Sequence, residues 1–151
     1  MDRVHFDQVA DEYYALHARN IRCSGESPEF FAEYKVKDVA AVMADAAQKP
    51  LQILDFGAGV GNSLPYWRRN FPKSAIVGAD VSSRSLTLAV QRFPGLAALV
   101  VFDGERLPFG DASFDAAFAA NVFHHIDPSE HDKHLRDLFR VLRPGGIFFS
   151  L

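Results

Sequence analysis

The sequence has one cysteine, Cys23, and no apolar run that approaches the length of a transmembrane helix. A single cysteine excludes a disulfide within the chain. The apolar run from Leu96 to Phe102 is far shorter than the roughly 20 residues that cross a bilayer. No apolar signal core precedes the charged residues Asp7 and Asp11. These absences favour a cytoplasmic protein that is not inserted in a membrane.

Lysine- or arginine-rich blocks, internal repeats and low-complexity tracts are also absent. The 151 residues include 16 Lys and Arg against 19 Asp and Glu, for a net charge of −3. Because nucleic-acid surfaces are usually basic, this balance favours a small molecule or a protein as partner over nucleic acid. With 48% hydrophobic residues, the chain is long enough to bury one sizeable core.

Three glycines at alternate positions, Gly57, Gly59 and Gly61, follow the apolar run of residues 51–54. Glycine adopts backbone angles that other residues resist, and it has no side chain to block the close approach of a ligand. The pattern therefore predicts a strand that ends in a turn shaped to admit a bulky polar molecule.

The spacing of this turn distinguishes between ligands. Dinucleotide-binding turns usually read G-x-G-x-x-G, whereas this turn reads G-x-G-x-G with Asp55 two residues before its first glycine. A carboxylate repels a pyrophosphate but suits an ammonium or sulfonium group. The residues therefore favour S-adenosylmethionine over NAD.

A second apolar strand pattern, residues 75–81, contains a carboxylate, Asp80, where nucleotide-binding sheets hydrogen-bond the two ribose hydroxyls. Strand and helix patterns then alternate to the end of the chain. This alternation predicts an α/β fold with a doubly wound, Rossmann-like and mostly parallel sheet, with helices on both faces.

Two helices in this region have clear start signals. Ser82 or Ser83 is expected to cap the first helix, and Asp127 begins a capping-box-like start for the second. The residues expected to face the core are Leu86, Ala89, Val90 and Phe93 in the first helix, and Leu135, Leu138, Phe139 and Leu142 in the second.

Five segments in order along the chain resemble motifs of the class I S-adenosylmethionine-dependent methyltransferases. They are residues 54–61, 78–82, 101–109, 113–118 and 142–146. The resemblance covers roughly residues 50 to 151 and implies methyl transfer to an acceptor, preferably a small molecule. Family members continue beyond the fifth strand, so we expect a truncated core with an open sheet edge, which favours a homodimer.

The resemblance also implies which residues hold the cofactor. Asp80 with Val81 corresponds to the ribose contact and Asp103 to the contact with the adenine amino group, with the main chain of Gly104 and Glu105 facing the ring. The main chain of Ala120 and Asn121 corresponds to the methionine contact. The glycine turn contributes Asp55, Gly57, Ala58, Gly59 and Asn62.

The first part of the chain, residues 1–49, is expected to form a helical lid or appendage on the core of residues 50–151. Residues 6–14 resemble a lid helix of small-molecule methyltransferases, which makes Tyr13 a candidate cofactor contact. A second helix is expected after Ser27, with Pro28 at its first position. Its apolar stripe is Phe31, Tyr34, Val39, Val42 and Met43.

His124 and His125 follow the fourth strand and are candidates for a general base, which is needed only for an acceptor whose proton has a high pKa. The alternative is that one ring packs under the N-terminal helices and the other is solvated or hydrogen-bonded locally. A metal cluster is a further alternative, but the spacing argues against it, so no metal is expected. Its candidate ligands are His124, His125, His131, His134, Asp127 and Asp132.

Two other functions stay open at this point. One is an NAD(P)-dependent oxidoreductase, which the missing G-x-G-x-x-G pattern disfavours. The other is a truncated domain that binds S-adenosylmethionine, or a partner through its open edge, without turnover.

Overall fold

The structure is a computed structural model that describes residues 28–151. Its five strands form one sheet in the order β3-β2-β1-β4-β5, and all four pairs are parallel. This confirms the predicted doubly wound sheet. The strands are β1 (Gln52–Phe56), β2 (Ala75–Asp80), β3 (Ala98–Val101), β4 (Phe114–Ala119) and β5 (Leu142–Ser150).

Four α-helices and two short 3₁₀ turns connect or flank these strands. The helices are α1 (Pro28–Val42), α2 (Leu64–Asn70), α3 (Ser83–Arg92) and α4 (His131–Val141), and the 3₁₀ turns are Phe123–His125 and Pro128–Glu130. Among residues 28–151, no helix combines the length and apolarity that a membrane span requires.

Helices cover both faces of the sheet. Successive residues of β1 point to opposite faces, so neighbouring residues pack against different helices. Ile53 belongs to an apolar cluster with α2, whereas the adjacent Leu54 belongs to a cluster with α4. Both side chains are fully buried. The first cluster also includes Val36 and Val39 of α1, so this helix packs on the same face as α2. The division of the chain at residue 49 stays a prediction.

Ser82 is the cap of α3, as one of the two predicted alternatives requires. Its Oγ accepts a hydrogen bond from the main-chain N–H of Ser85 at 3.1 Å. Asp127 accepts a bond from the main-chain N–H of Ser129 at 2.8 Å and caps the 3₁₀ turn that precedes α4. Both starts follow from side-chain oxygens that satisfy N–H groups with no partner within the helix.

The predicted apolar stripes are wrong at four positions, because each buried stripe is narrower than the sequence pattern. Leu86 and Leu138 are buried, but Val90 is 53% and Phe139 63% exposed. Each exposed residue directly follows a buried one and is therefore turned by about 100° around the helix axis. In α1, Tyr34 and Val42 are also exposed, and Val36 takes a buried position.

The predictions for the first 27 residues, including the Tyr13 contact and the Ser27 cap, lie outside the described residues. The apolar pattern of residues 146–151 predicts the fifth strand, but β5 begins four residues earlier, at Leu142. Leu142 already pairs with Phe114, and after an irregular step the regular pairing runs from Ala116 with Ile147 to Ala119 with Ser150.

Candidate cofactor site

Strand order places the site. β1 lies between β2 and β4, so the chain leaves β1 toward one side of the sheet and later returns on the other. Phe56 at the end of β1 pairs with Ala79 and Ala119, which lie at the ends of β2 and β4. Open parallel sheets bind ligands beyond the carboxyl ends of their strands at such a reversal. The predicted cofactor residues follow β1, β2, β3 and β4, and the structure places all four of these segments at the same edge of the sheet.

The glycine turn has two positions fixed by packing and one facing open space. A Cβ atom on Gly57 would lie 2.4 Å from Val122, and one on Gly61 would lie 3.0 Å from Ala89 and Leu64. On Gly59, the nearest described atom to such a Cβ is 4.0 Å away. All three glycines have positive φ. Gly59 therefore leaves room for a ligand to approach the main chain.

Asp80 connects this turn to the start of α3. One carboxylate oxygen accepts the main-chain N–H of Gly59 at 2.8 Å, and the other accepts that of Ser82 at 2.9 Å. A carboxylate oxygen can accept hydrogen bonds from more than one donor. Val81, the next residue, is buried. The geometry is compatible with the ribose role predicted for Asp80.

Asp55 lies beneath the turn and is only 2% exposed. Its carboxylate accepts the indole N–H of Trp67 at 3.0 Å and a short hydrogen bond from the hydroxyl of Ser63. Burial raises the pKa of Asp55 to about 6, although both hydrogen bonds act in the opposite direction. The side chain therefore joins β1 to α2, and its direct contact with a cofactor stays a prediction.

Arg92 holds the outer side of the glycine turn, a role that sequence reasoning missed. Its guanidinium donates to the carbonyl of Val60 at 3.0 Å and to the side-chain oxygen of Asn62 at 2.7 Å. It also bonds Glu29 of α1 at 3.4 Å. The predicted cofactor residue Asn62 thus uses its amide oxygen within the protein. Arg92 ends α3 as an ordinary basic C-terminal residue, so the sequence contains no signal for this contact.

The segment after β3 forms its own turn. One oxygen of Asp103 accepts the main-chain N–H groups of Glu105 at 2.8 Å and Arg106 at 3.3 Å, and these bonds hold the pKa of Asp103 below its usual range. The N–H of Glu105 is therefore already engaged, and its side chain pairs with Lys133 at 2.6 Å. Gly104, between them, is buried and has positive φ.

Helix α4 secures the loop that continues from this turn. Arg140 donates to the carbonyls of Leu107 at 3.0 Å and Phe109 at 2.7 Å. Asp137 accepts the N–H of Leu107 at 2.5 Å and pairs with Arg140 at 2.7 Å. These charged side chains use their hydrogen bonds within the protein, so this network is structural.

Asn121, directly after β4, has the left-handed φ of 56°. Its N–H donates to the carbonyl of Leu151 at 2.9 Å, and its side-chain oxygen accepts the ammonium of Lys35 at 2.8 Å. Partial burial lowers the pKa of Lys35. The preceding Ala120 is partly buried, and the following Val122 packs against Gly57. The turns after β4 and β1 are therefore in contact.

His124 and His125 lie in the 3₁₀ turn after this segment, with ring centroids 3.9 Å apart and both side chains exposed. The interpretation that one ring packs under the N-terminal helices involves residues outside those described and stays a prediction. The buried histidine is His134, whereas the Nε2 atom of His131 contacts the carbonyls of Phe123 and Ile126. Within residues 28–151, no three His, Cys, Asp or Glu side chains are placed to hold a metal ion.

Comparison with known proteins agrees with this geometry. A family described as "Methyltransferase domain" matches residues 54–150. The chain therefore belongs to the class I S-adenosylmethionine-dependent methyltransferases. It is 34% identical to the ubiquinone/menaquinone biosynthesis C-methyltransferase UbiE of Bartonella tribocorum, an alignment that covers 97% of this chain and 55% of that protein.

Two solved structures are similar. One is SAM-bound CalS10, an amino pentose methyltransferase from Micromonospora echinaspora, with a TM-score of 0.70 and 25% identity over 88% of this chain and 54% of that one. The other is the [4+2]-cyclase SpnF, with a TM-score of 0.62 and 30% identity over 74% and 42%. The chain spans about half the length of the curated relatives it matches. The oxidoreductase alternative finds no support in these comparisons.

Proposed function

We propose that this chain binds S-adenosylmethionine at the carboxyl edge of its sheet and belongs to an enzyme that methylates a small molecule. The observation that carries the proposal is the pairing of Gly59 with Asp80. The main-chain N–H of Gly59, at the most open position of the glycine turn, lies 2.8 Å from the carboxylate of Asp80 at the point where the strand order reverses.

In this proposal different predicted residues contact different parts of the cofactor. Asp80 accepts hydrogen bonds from the ribose hydroxyls, and Asp103 accepts one from the adenine amino group. The main chain of Ala120 and Asn121 contacts the methionine part, and the turn from Gly57 to Gly59 lies against the same part. When bound, the sulfonium supplies an activated methyl group. The work of the protein is then to orient donor and acceptor in line.

A small-molecule acceptor agrees with the names of the relatives, which refer to quinone biosynthesis and to an amino pentose. His124 and His125 are proposed as general bases because both are exposed beside the turn after β4. A base is needed for a hydroxyl or ammonium acceptor, which must lose a proton. It is unnecessary for an acceptor that is already deprotonated. Residues 1–49 are proposed as a lid or appendage, with Tyr13 as a cofactor contact.

A second candidate function is binding of S-adenosylmethionine without methyl transfer. The similarity to a [4+2]-cyclase is the observation that favours it, because proteins that share a fold need not share a reaction. Both functions require cofactor binding, and they differ in whether the methyl group is transferred.

Titration calorimetry with S-adenosylhomocysteine tests the binding step. The Asp80→Ala variant should bind at least about tenfold more weakly, the loss expected when hydrogen bonds to a charged group are removed. Asp132→Ala is the matched control, since Asp132 is an exposed carboxylate on α4. Equal loss in both variants, or no binding by the folded parent chain, would count against the site.

A radiolabelled methyl-transfer assay with quinones, phenols and amino sugars then separates the two functions. Turnover that is lost in the Asp80→Ala variant supports the methyltransferase. Binding without turnover, in this chain and in a longer one that includes the segments its relatives have, supports the non-catalytic alternative.

A further inference from the structure

Asn121 has a backbone conformation that residues other than glycine seldom adopt. Its φ of 56° lies in the left-handed region, and the side chain is exposed at the end of β4. Asparagine tolerates this region better than most residues do, but glycine adopts it more easily. A non-glycine residue with such a φ at a proposed binding edge needs contacts that hold it there.

Lys35 provides one of these contacts from a distant part of the chain. Its ammonium donates to the side-chain oxygen of Asn121 at 2.8 Å and to the carbonyl of Leu151 at 3.2 Å. The same carbonyl accepts the N–H of Asn121 at 2.9 Å. One lysine therefore joins the side chain of Asn121 to the carbonyl group that fixes its main chain.

The position of Lys35 is set by packing. The next residue, Val36, is fully buried, as is Val39 one turn further along α1. Lys37, on the same helix, pairs with Glu33 at 2.9 Å, and its side chain is 59% exposed. The two lysines thus differ in surroundings but share a helix, which makes Lys37 a matched control.

The N-terminal end of the same helix is linked to the glycine turn through a third residue, Arg92 of α3. Glu29 pairs with Arg92, and Arg92 donates to the carbonyl of Val60. Helix α1 is therefore bonded directly to the turn after β4 and, through Arg92 of α3, indirectly to the glycine turn. This arrangement explains how a helix outside the sheet can influence the shape of the site.

We propose that Lys35 is a positioning residue that holds Asn121 in its left-handed conformation and so sets the main chain of Ala120 and Asn121 for the methionine part of the cofactor. This inference rests on the proposed function. It predicts that the ammonium of Lys35 contributes to cofactor affinity through Asn121 and not through the stability of α1.

Calorimetric titration of S-adenosylhomocysteine into four variants tests this pathway. Lys35→Met should weaken binding about tenfold, as expected for the loss of one charge-assisted hydrogen bond, whereas Lys37→Met should stay within about twofold of the parent chain. Asn121→Gly removes the side chain that Lys35 contacts and places at this φ a residue that needs no support, so its own affinity is the reference for the double variant. Adding Lys35→Met to Asn121→Gly should then cost less than about twofold.

The outcomes separate the two proposals. If the parent chain is folded and does not bind, the proposed function and this inference both fall. If the parent chain binds and Lys35→Met binds equally well, the inference alone is wrong. If Lys35→Met weakens binding about tenfold in the Asn121→Gly background as well, Lys35 acts independently of Asn121. That result would also overturn the inference. If Lys35→Met is unfolded by circular dichroism, Lys35→Gln replaces it in the same cycle.

Discussion

The main-chain N–H of Gly59 donates to the carboxylate of Asp80 across 2.8 Å, so a side chain at the end of β2 is bonded to the turn after β1. This bond aligns the most open position of the glycine turn with the carboxylate proposed to bind ribose. Because the partner is a main-chain group, the side chain at position 59 does not take part. Alanine variants of the glycines therefore test whether the turn has room for a methyl group and whether it requires positive φ, without removing a donor or acceptor of this bond.

Gly59→Ala and Gly61→Ala should have different effects. Each places a methyl group at positive φ, which costs about 1 kcal/mol. At Gly61 the methyl group also meets Ala89 and Leu64 at 3.0 Å, so overpacking adds about 1–3 kcal/mol. Gly61→Ala should be the less stable in urea unfolding. Gly59→Ala should lose more affinity for S-adenosylhomocysteine than its loss of stability accounts for; the reverse order would contradict the assignment of Gly59 to the ligand side.

Asp55 should make stability fall as pH rises. Its pKa is about 6 in the folded chain against an ordinary value of 3.8, so between these values the folded state holds a proton that the unfolded state has lost. The stability of the parent chain relative to Asp55→Asn should therefore decrease from about pH 4 to pH 6.5, by on the order of 3 kcal/mol. Urea unfolding of both proteins across this range measures the difference, and a difference independent of pH would refute the raised pKa.

His134 should act in the opposite direction. It is 2% exposed, and its Nε2 atom has no hydrogen-bond partner among the described residues. Burial lowers the pKa of His134, so below the ordinary value of 6.5 the unfolded state takes up a proton that the folded core resists. Stability relative to His134→Met should therefore fall as pH drops below about 6.5. Thermal melts at several pH values provide the check; parallel curves for the two proteins would show that His134 does not titrate on unfolding.

The outer edge of β5 should promote pairing between chains. Within residues 28–151 no strand lies beyond β5, and Ile147 and Phe139 are 40% and 63% exposed near it. An unpaired edge with apolar neighbours favours association. Light scattering after size exclusion should detect a homodimer whose population rises with concentration, and Ile147→Lys should reduce it, because an edge lysine opposes pairing. A monodisperse monomer at every concentration would contradict this prediction.

Local patterns predicted the strands, the glycine turn and a cap at Ser82 or Ser83, because each depends on residues close together in sequence. The bonds from Lys35 to Asn121 and from Arg92 to Val60 join residues 86 and 32 positions apart, and no local pattern marks them. The exposed side chains of Val90 and Phe139 were missed because helical periodicity gives the direction of a buried stripe but not its width. Asp55 was recognised as unusual, but its burial with Trp67 required the tertiary structure.

The contact between Gly57 and Val122 also bears on how the chain acquires its binding edge during synthesis. The glycine turn is complete in sequence by residue 62, but Val122 reaches it only after β4 has paired beside β1. On the ribosome, a chain that contains the whole turn would therefore still lack its final shape. Formation of the site depends on contacts distant in sequence, which form late and slow folding. Nascent chains should gain cofactor affinity in a single step once β4 and residue 151, directly after β5, have emerged, not gradually as each motif appears.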